Sequence, residues 1–234
     1  MNTELFYFDS KEEGKRGTLV LLHGNNASHE YFENQINFFK DEYRVIAPDT
    51  RGHGKSPIGK EPFTLEQFAG DLKDLLDELL VGKVTILGFS DGGNIALIFA
   101  MRYPEYVDKL IICGANISPD GLDDDFLCKS KKEYTRRKSG GYFSKKSRKA
   151  AKMLSIMIFE PDIKPAQLSV LSMPVLVIAG DHDLIKDEHT RLIAENIKHS
   201  TLCILAGTHN VMTESPIEFN NTVETWMLSQ KKGQ

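Results

Sequence analysis

The sequence predicts an α/β protein whose central sheet is mostly parallel and is covered by helices on both faces. Short, nearly continuous apolar runs recur along the chain, as expected for strands buried on both sides of a parallel sheet. Amphipathic helical patterns lie between most of these runs, and this alternation is typical of such a sheet. The 234 residues are enough for one domain with a sizeable core.

Six segments are predicted to be strands because each is a compact apolar run. They lie at 18–23, 43–49, 84–88, 107–114, 175–180 and 201–207. In an open parallel sheet, ligands bind beyond the carboxyl ends of the strands. Functional side chains are therefore expected in the loops that follow these segments.

Three helices are marked by apolar spacing and capping signals. The clearest runs from Thr64 to about Val81, with apolar residues at steps of three and four, and Thr64 with Gln67 forms the pattern of a capping box. The second runs from Ser90 to near Pro104. The third is predicted to begin after Ser215 as N-cap, with Pro216 in the first position and Glu218 completing its box.

The alternation breaks once, over residues 118–172, where a polar and weakly helical stretch separates two strands. Such a length is too great for a connecting loop, since loops have a median of about 4 to 6 residues. We therefore expect one core domain formed by 1–117 and 173–234, with 118–172 inserted as a small helical lid.

The composition is that of an ordinary globular protein, with 41% hydrophobic and 26% charged residues. It has no apolar run of about 20 residues that could span a membrane, and its first residues do not resemble a secretion signal. A cytoplasmic protein without membrane association is therefore predicted. Cys113, Cys128 and Cys203 are too widely spaced for a disulfide framework or a paired metal site.

Positive charge is concentrated in one part of the predicted lid. Residues 129–152 hold 11 of the 29 basic residues and a single acid, Glu133, although the whole chain has a net charge of −4. This segment could attract an anionic substrate, a membrane surface or nucleic acid. A solvated lid surface is the simpler interpretation, and nucleic acid is not expected because few aromatic residues are interleaved.

The segment "LGFSDGGNIA", residues 87–96, places Ser90 between two glycines where a strand ends and a helix begins. A nucleophile elbow needs this setting. Gly88 and Gly92 remove the Cβ atoms that would collide in so tight a turn. The amide of Asp91 and the start of the helix can then face an oxyanion.

A serine nucleophile needs a base and an acid that orients the base. His209 directly follows the last predicted strand and is the preferred base, whereas His23 and His53 are interpreted as residues that shape loops. The remaining histidines are interpreted as surface residues: His29, His182, His189 and His199. Asp181 and Asp183 both follow the preceding strand, and either can be the acid.

These motifs together are similar to those of the α/β-hydrolase superfamily. The residues that carry the resemblance are "LLHGN" (21–25), "PDTRGHGKS" (48–56), "GFSDGGN" (88–94), "VIAGDHD" (177–183) and "AGTHNV" (206–211). The resemblance implies the α/β-hydrolase fold and the chain order Ser90, Asp183, His209 for a catalytic triad. It also implies an oxyanion hole formed by the backbone amides of Asn25 and Asp91, with Asp181 shaping the turn.

The elbow most resembles that of small esterases such as valacyclovir hydrolase and biphenyl-hydrolase-like proteins. We therefore expect a carboxylesterase-like serine hydrolase that cleaves a small neutral or anionic ester or thioester through an acyl-enzyme on Ser90. No cofactor or metal is expected. Alternatives are a perhydrolase or haloperoxidase-like enzyme, a carbon–carbon bond hydrolase with the same triad, or a ligand-binding protein without catalysis. The chain gives no indication of its substrate-binding residues or oligomeric state.

Overall fold

The computed structural model describes residues 4–11, 14–140 and 144–230. A seven-stranded sheet has the order β1-β3-β2-β4-β5-β6-β7, with only β1 antiparallel to its neighbour. All six predicted strands are present, and β1 was not predicted. The bounds are β1 Tyr7–Asp9, β2 Thr18–Leu22, β3 Arg44–Pro48, β4 Val84–Phe89, β5 Val107–Cys113, β6 Val175–His182 and β7 Ser200–Thr208.

Helices cover both faces of the sheet, as the sequence predicts. They are α1 Glu33–Phe39, α2 Leu65–Glu78, α3 Asp91–Arg102, α4 Asp124–Gly140, α5 Lys145–Phe159, α6 Asp187–Glu195, α7 Val211–Glu214 and α8 Pro216–Ser229. The apolar faces of α2, α3 and α6 form one buried cluster with the sheet. Those of α1, α7 and α8 form a second cluster on the opposite face.

The two predicted capping boxes have different outcomes. The Thr64 side chain accepts a hydrogen bond from the Gln67 amide at 3.2 Å, but the Gln67 side chain donates to Asp71 instead of returning to the cap. The Glu160 carboxylate completes this cap by accepting from the Leu65 amide at 2.7 Å.

The box predicted at Ser215 is wrong, because that side chain makes no capping hydrogen bond although α8 begins at Pro216 as expected. The Ser215 amide donates to the carbonyl of Val211 at 3.0 Å. Because Ser215 also ends α7, the short turn between the two helices sets its backbone, and its side chain is not presented to the start of α8.

The segment 118–172 lies between β5 and β6 along the chain. It contains α4 and α5, which pack against each other. Its second half is not separate from the core. Ile156, Ile163, Leu168 and Leu171 are buried in the same cluster as α2 and α3. The segment is therefore attached through a shared hydrophobic core as well as through its two chain connections.

The basic residues of this segment lie on the surface. Lys145, Lys146, Arg148 and Lys149 at the start of α5 are all exposed. On α4, Glu133 binds both Arg136 and Arg137, which offsets part of the positive charge. Within the described residues, no helix is long and apolar enough to cross a membrane.

Candidate active site

Ser90 occupies a strained turn between β4 and α3, with φ 53° and ψ −123°. A positive φ is uncommon for a residue with a side chain and is found preferentially at functional sites. The flanking glycines are required by space. A Cβ atom on Gly92 would lie 1.9 Å from the carbonyl oxygen of Leu22, and one on Gly88 would lie 2.3 Å from the carbonyl oxygen of Gly92.

The loops after β6 and β7 bring the predicted acid and base to this turn. His209 Nε2 lies 3.1 Å from Ser90 Oγ, and His209 Nδ1 lies 2.6 Å from Asp183 Oδ1. The Asp183 carboxylate also accepts hydrogen bonds from the amides of Gly180 and Ile185, at 3.2 and 2.9 Å. These bonds hold the carboxylate against the imidazole, so serine, histidine and aspartate form one hydrogen-bonded chain.

The structure separates the two aspartates that the sequence left as alternatives. Asp181 does not contact His209, and its Oδ1 accepts a hydrogen bond from the Gly207 amide at 2.9 Å. This bond joins the end of β6 to the end of β7. Asp181 therefore shapes the turn, whereas Asp183 is the carboxylate beside the imidazole.

His23 and His53 are both buried in the loops beside the site. The His23 Nδ1–H donates to the Gly24 carbonyl at 2.8 Å, and its Nε2 accepts from the Thr50 amide at 3.0 Å. Burial, reinforced by neighbouring His53, lowers the pKa of His23 to about 4. Both ring nitrogens of a neutral His23 are occupied, which agrees with a loop-shaping role.

Two of the histidines interpreted as surface residues instead form hydrogen bonds with buried groups. His189 is buried and its Nε2 accepts a hydrogen bond from the Ile117 amide at 3.0 Å. His29 lies 2.8 Å from the buried carboxylate of Asp49. The prediction was wrong for these two because their partners come from distant parts of the chain.

The loop after β2 lies directly against Ser90. A Cβ atom on Gly24 would be 3.0 Å from the Ser90 Cβ. The next amide, that of Asn25, donates no hydrogen bond within the described part of the chain, and neither does the amide of Asp91. Unpaired amides beside a reactive hydroxyl are suited to binding an oxyanion.

The side chains of Asn25 and Asp91 form a contact that the sequence did not reveal. Asn25 Nδ2 donates to Asp91 Oδ2 at 2.8 Å and to the carbonyl oxygen of Met153 on α5 at 2.9 Å. Burial raises the pKa of Asp91 to about 6, against the effect of the Asn25 hydrogen bond. One carboxamide thus joins the loop after β2, the start of α3 and the inserted segment.

Phe89 and Gly114 lie against the imidazole, and Tyr31 packs behind Phe89. The Phe89 ring lies 5.0 Å from that of His209, and Tyr31 stacks on Phe89 at 4.7 Å. Gly114 lies beneath His209, because a Cβ there would be 2.7 Å from His209 Cε1. The position of Gly114 at a strand end was the one sequence signal that could have indicated this role.

Nothing in the described ranges assembles a metal site, since no group of three or more His, Cys, Asp or Glu side chains is suitably placed. Ser90, His209 and Asp183 can perform proton transfer and nucleophilic attack without one.

Comparison with known proteins agrees with this architecture. A family model described as the alpha/beta hydrolase fold matches residues 17–127. Together with the sheet order and the elbow, this match shows that the chain contains an α/β-hydrolase domain and has the α/β-hydrolase fold.

Several relatives match nearly the whole chain. It is 29% identical to serine hydrolase BPHL of Homo sapiens, over 97% of this chain and 84% of that protein. It is 27% identical to 3-oxoadipate enol-lactonase 2 of Acinetobacter baylyi, over 92% of this chain and 90% of that protein. A solved thermophilic esterase from Thermogutta terrifontis superposes with a TM-score of 0.79 at 26% identity, over 97% of this chain and 94% of that one.

Proposed function

We propose that this protein is a serine hydrolase that cleaves carboxylic ester or thioester bonds of a small molecule through an acyl-enzyme on Ser90. The observation that carries the proposal is the hydrogen-bonded chain of Ser90, His209 and Asp183 at the end of a strained turn. The similarity to a serine hydrolase, a lactonase and an esterase supports the same chemistry.

The mechanism follows from the atoms that face one another. His209 Nε2 takes the proton of Ser90 Oγ as the hydroxyl attacks the carbonyl carbon, and Asp183 stabilises the imidazolium through Nδ1. The amides of Asn25 and Asp91 stabilise the oxyanion. His209 then protonates the leaving group. A water molecule activated by His209 attacks the acyl-enzyme in the same way, which releases the acid and restores Ser90. In this mechanism α4 and α5 act as a lid over the acyl site.

The first test is hydrolysis of p-nitrophenyl esters that vary in acyl length and charge, with a lactone included because it is a cyclic ester. We expect saturable turnover by the wild type and a loss of kcat of about 10⁴-fold or more in Ser90→Ala. Ser169→Ala is the matched control, because Ser169 is exposed and its hydroxyl donates to the nearby Ala166 carbonyl. Equal rates for wild type and Ser90→Ala would overturn the proposal.

Covalent labelling distinguishes the alternative activities. A fluorophosphonate should label the wild type and Ser169→Ala but not Ser90→Ala, whereas a ligand-binding protein without catalysis would not be labelled. Labelling without ester turnover would favour a carbon–carbon bond hydrolase. Peracid formation when peroxide is added to the acyl assay would favour a perhydrolase.

The exposed cations of α5 are proposed to favour anionic esters. Replacing Lys145, Lys146, Arg148 and Lys149 together by Gln should lower the ratio of anionic to neutral ester rates by about tenfold at low ionic strength. The control replaces four exposed lysines outside the inserted segment by Gln, namely Lys15, Lys40, Lys60 and Lys83. An unchanged ratio in the α5 variant would mean that these charges only solvate the surface.

A further inference from the structure

The two residues whose backbone amides are proposed to stabilise the oxyanion are also bonded to each other through their side chains. Asn25 Nδ2 donates to Asp91 Oδ2 at 2.8 Å. The two amides belong to different elements, because Asn25 lies in the loop after β2 and Asp91 is the first residue of α3. The side-chain hydrogen bond therefore connects the two elements that supply the proposed oxyanion hole.

The Asp91 half of this contact is held by the core of the protein. The Ser90 amide donates to the Cys113 carbonyl at 2.8 Å, which ties the elbow to the end of β5. Asp91 Oδ1 accepts from Asn94 Nδ2 at 3.4 Å. Asn94 and Asn116 exchange two further hydrogen bonds of 2.9 Å, and all three polar side chains are buried. The Asp91 carboxylate is therefore an acceptor with a defined position.

The loop that contains Asn25 has its own internal hydrogen bonds. The Gly24 carbonyl accepts from the Ala27 amide at 3.3 Å and from the His23 ring at 2.8 Å, and neither bond reaches α3. The Asn25 carboxamide does reach α3, and it also donates to the Met153 carbonyl on α5 at 2.9 Å. Both hydrogens of its Nδ2 are used, so the carboxamide has one defined orientation.

Two features of this contact are unfavourable for folding. Asn25 Oδ1 is buried and has no hydrogen-bond partner among the described residues. Asp91 is a buried carboxylate, and burial raises its pKa to about 6. Buried acceptors without partners and buried charges both destabilise a folded protein. Because such features cluster at functional sites, a role in catalysis explains this arrangement better than stability does.

We propose that the side chains of Asn25 and Asp91 form a brace that holds the backbone amide of Asn25 in position beside Ser90. This inference rests on the proposed hydrolase function. An oxyanion-hole donor must lie about 2.7 to 3.1 Å from the oxyanion, so a small displacement of the loop weakens transition-state stabilisation. Binding of the intact ester does not depend on that distance. Both side chains are positioning groups, because they act through the amide.

Steady-state kinetics on the best ester tests the brace, because Asn25→Ala removes the side chain and keeps the backbone amide. We expect kcat to fall by about 30-fold, with KM within about threefold of the wild type. Asn37→Ala is the matched control, since Asn37 is exposed on α1 and accepts from Lys40 at 3.1 Å. The control should keep the wild-type kcat.

A double-mutant cycle tests whether the two side chains act as one unit. Asp91→Ala should lose about as much kcat as Asn25→Ala, and the double variant should lose no more than either single variant. Asp91→Asn should have a kcat about fivefold or more above that of Asp91→Ala, because its carboxamide oxygen still accepts from Asn25. Losses that multiply in the double variant would overturn the brace.

An alkylboronic acid distinguishes the brace from a folding defect. Ser90 Oγ adds to the boron, His209 takes the hydroxyl proton, and the tetrahedral anion that forms places one oxygen in the proposed hole. Its dissociation constant, measured by calorimetry, should rise by about the same 30-fold factor in Asn25→Ala. A loss of folded enzyme would instead lower kcat and leave this constant unchanged, which would overturn the brace.

The same measurements distinguish failure of the brace from failure of the proposed function. Wild-type kcat and wild-type boronate affinity in Asn25→Ala would overturn the brace. The serine hydrolase proposal would then stand if Ser90→Ala has lost activity. A wild type that neither hydrolyses esters nor binds the boronic acid would overturn both proposals.

Discussion

Ser90 is strained and faces His209 for the same structural reason. Its φ of 53° lifts the hydroxyl clear of β4 and directs it toward His209, at a conformational cost of about 1 to 3 kcal/mol. The turn is held in place by the packing of β2 against α3. This packing requires glycine at position 92, because a Cβ atom there would collide with the carbonyl oxygen of Leu22. A single residue therefore depends on contacts from two neighbouring elements.

Asp181 and Asp183, at the end of β6 and just beyond it, give a matched pair for testing the role of the acid. Asp183→Asn should lower kcat by about 10⁴-fold, because the amide would favour the wrong imidazole tautomer. Asp181→Asn should retain kcat within a few-fold, since its oxygen still accepts from Gly207. Steady-state kinetics on the best ester checks both. The opposite ranking would identify Asp181 as the orienting acid.

Asp91 should make stability depend on pH in an unusual direction. Burial raises its pKa from 3.8 to about 6, so above pH 6 the folded state carries a buried, ionised carboxylate. That destabilisation is lost as the pH falls through 6 toward 3.8. Asp91→Asn should therefore increase the free energy of unfolding at pH 8 by up to about 3 kcal/mol and leave it nearly unchanged at pH 4.

Urea unfolding at the two pH values measures this difference. Asp162→Asn is the control, because Asp162 is exposed and its partner Lys164 is also exposed. It should change the free energy of unfolding little and equally at both pH values. A gain for Asp91→Asn that is the same at pH 4 and pH 8 would contradict the assignment to Asp91 ionisation.

At the scale of elements, the sequence predicted helix caps at Thr64 and at Ser215. The Thr64 side chain caps α2, whereas the Ser215 side chain does not cap α8. Thr64→Ala should lower the free energy of unfolding by about 1 kcal/mol, because the Gln67 amide loses its acceptor. Ser215→Ala should lower it by much less, since that side chain caps nothing. Thermal unfolding of both variants measures the difference. Equal losses would mean that Ser215 caps α8 in solution.

At the scale of the whole molecule, the inserted segment and the core are expected to be interdependent. A chain in which a Gly/Ser linker replaces residues 118–172 should not unfold cooperatively, because it loses Ile163, Leu168 and Leu171 from the main core. A linker that replaces only residues 124–155 should retain a cooperative transition. Differential scanning calorimetry distinguishes the two. Cooperative unfolding of both variants would mean that the whole segment is a separable lid.

Much of the fold and of the candidate site could be predicted because their signals are local. Buried strands, the clearest helices and the turn at Ser90 each depend on side chains within about ten residues of one another. The strand-end positions of Asp183 and His209 follow from the same signals, because the carboxyl ends of parallel strands share one edge. Strand β1 was missed because three residues carry too little pattern.

The sequence by itself determined the class of fold and the position of the elbow, and its residues narrowed the orienting acid to two candidates. Tertiary structure decided between Asp181 and Asp183, buried His189 beside Ile117, and joined Asn25 to Asp91 and to Met153 on α5. The physical reason is that these contacts join side chains far apart along the chain, and their distances are set by how helices pack on a twisted sheet rather than by any local pattern of residues.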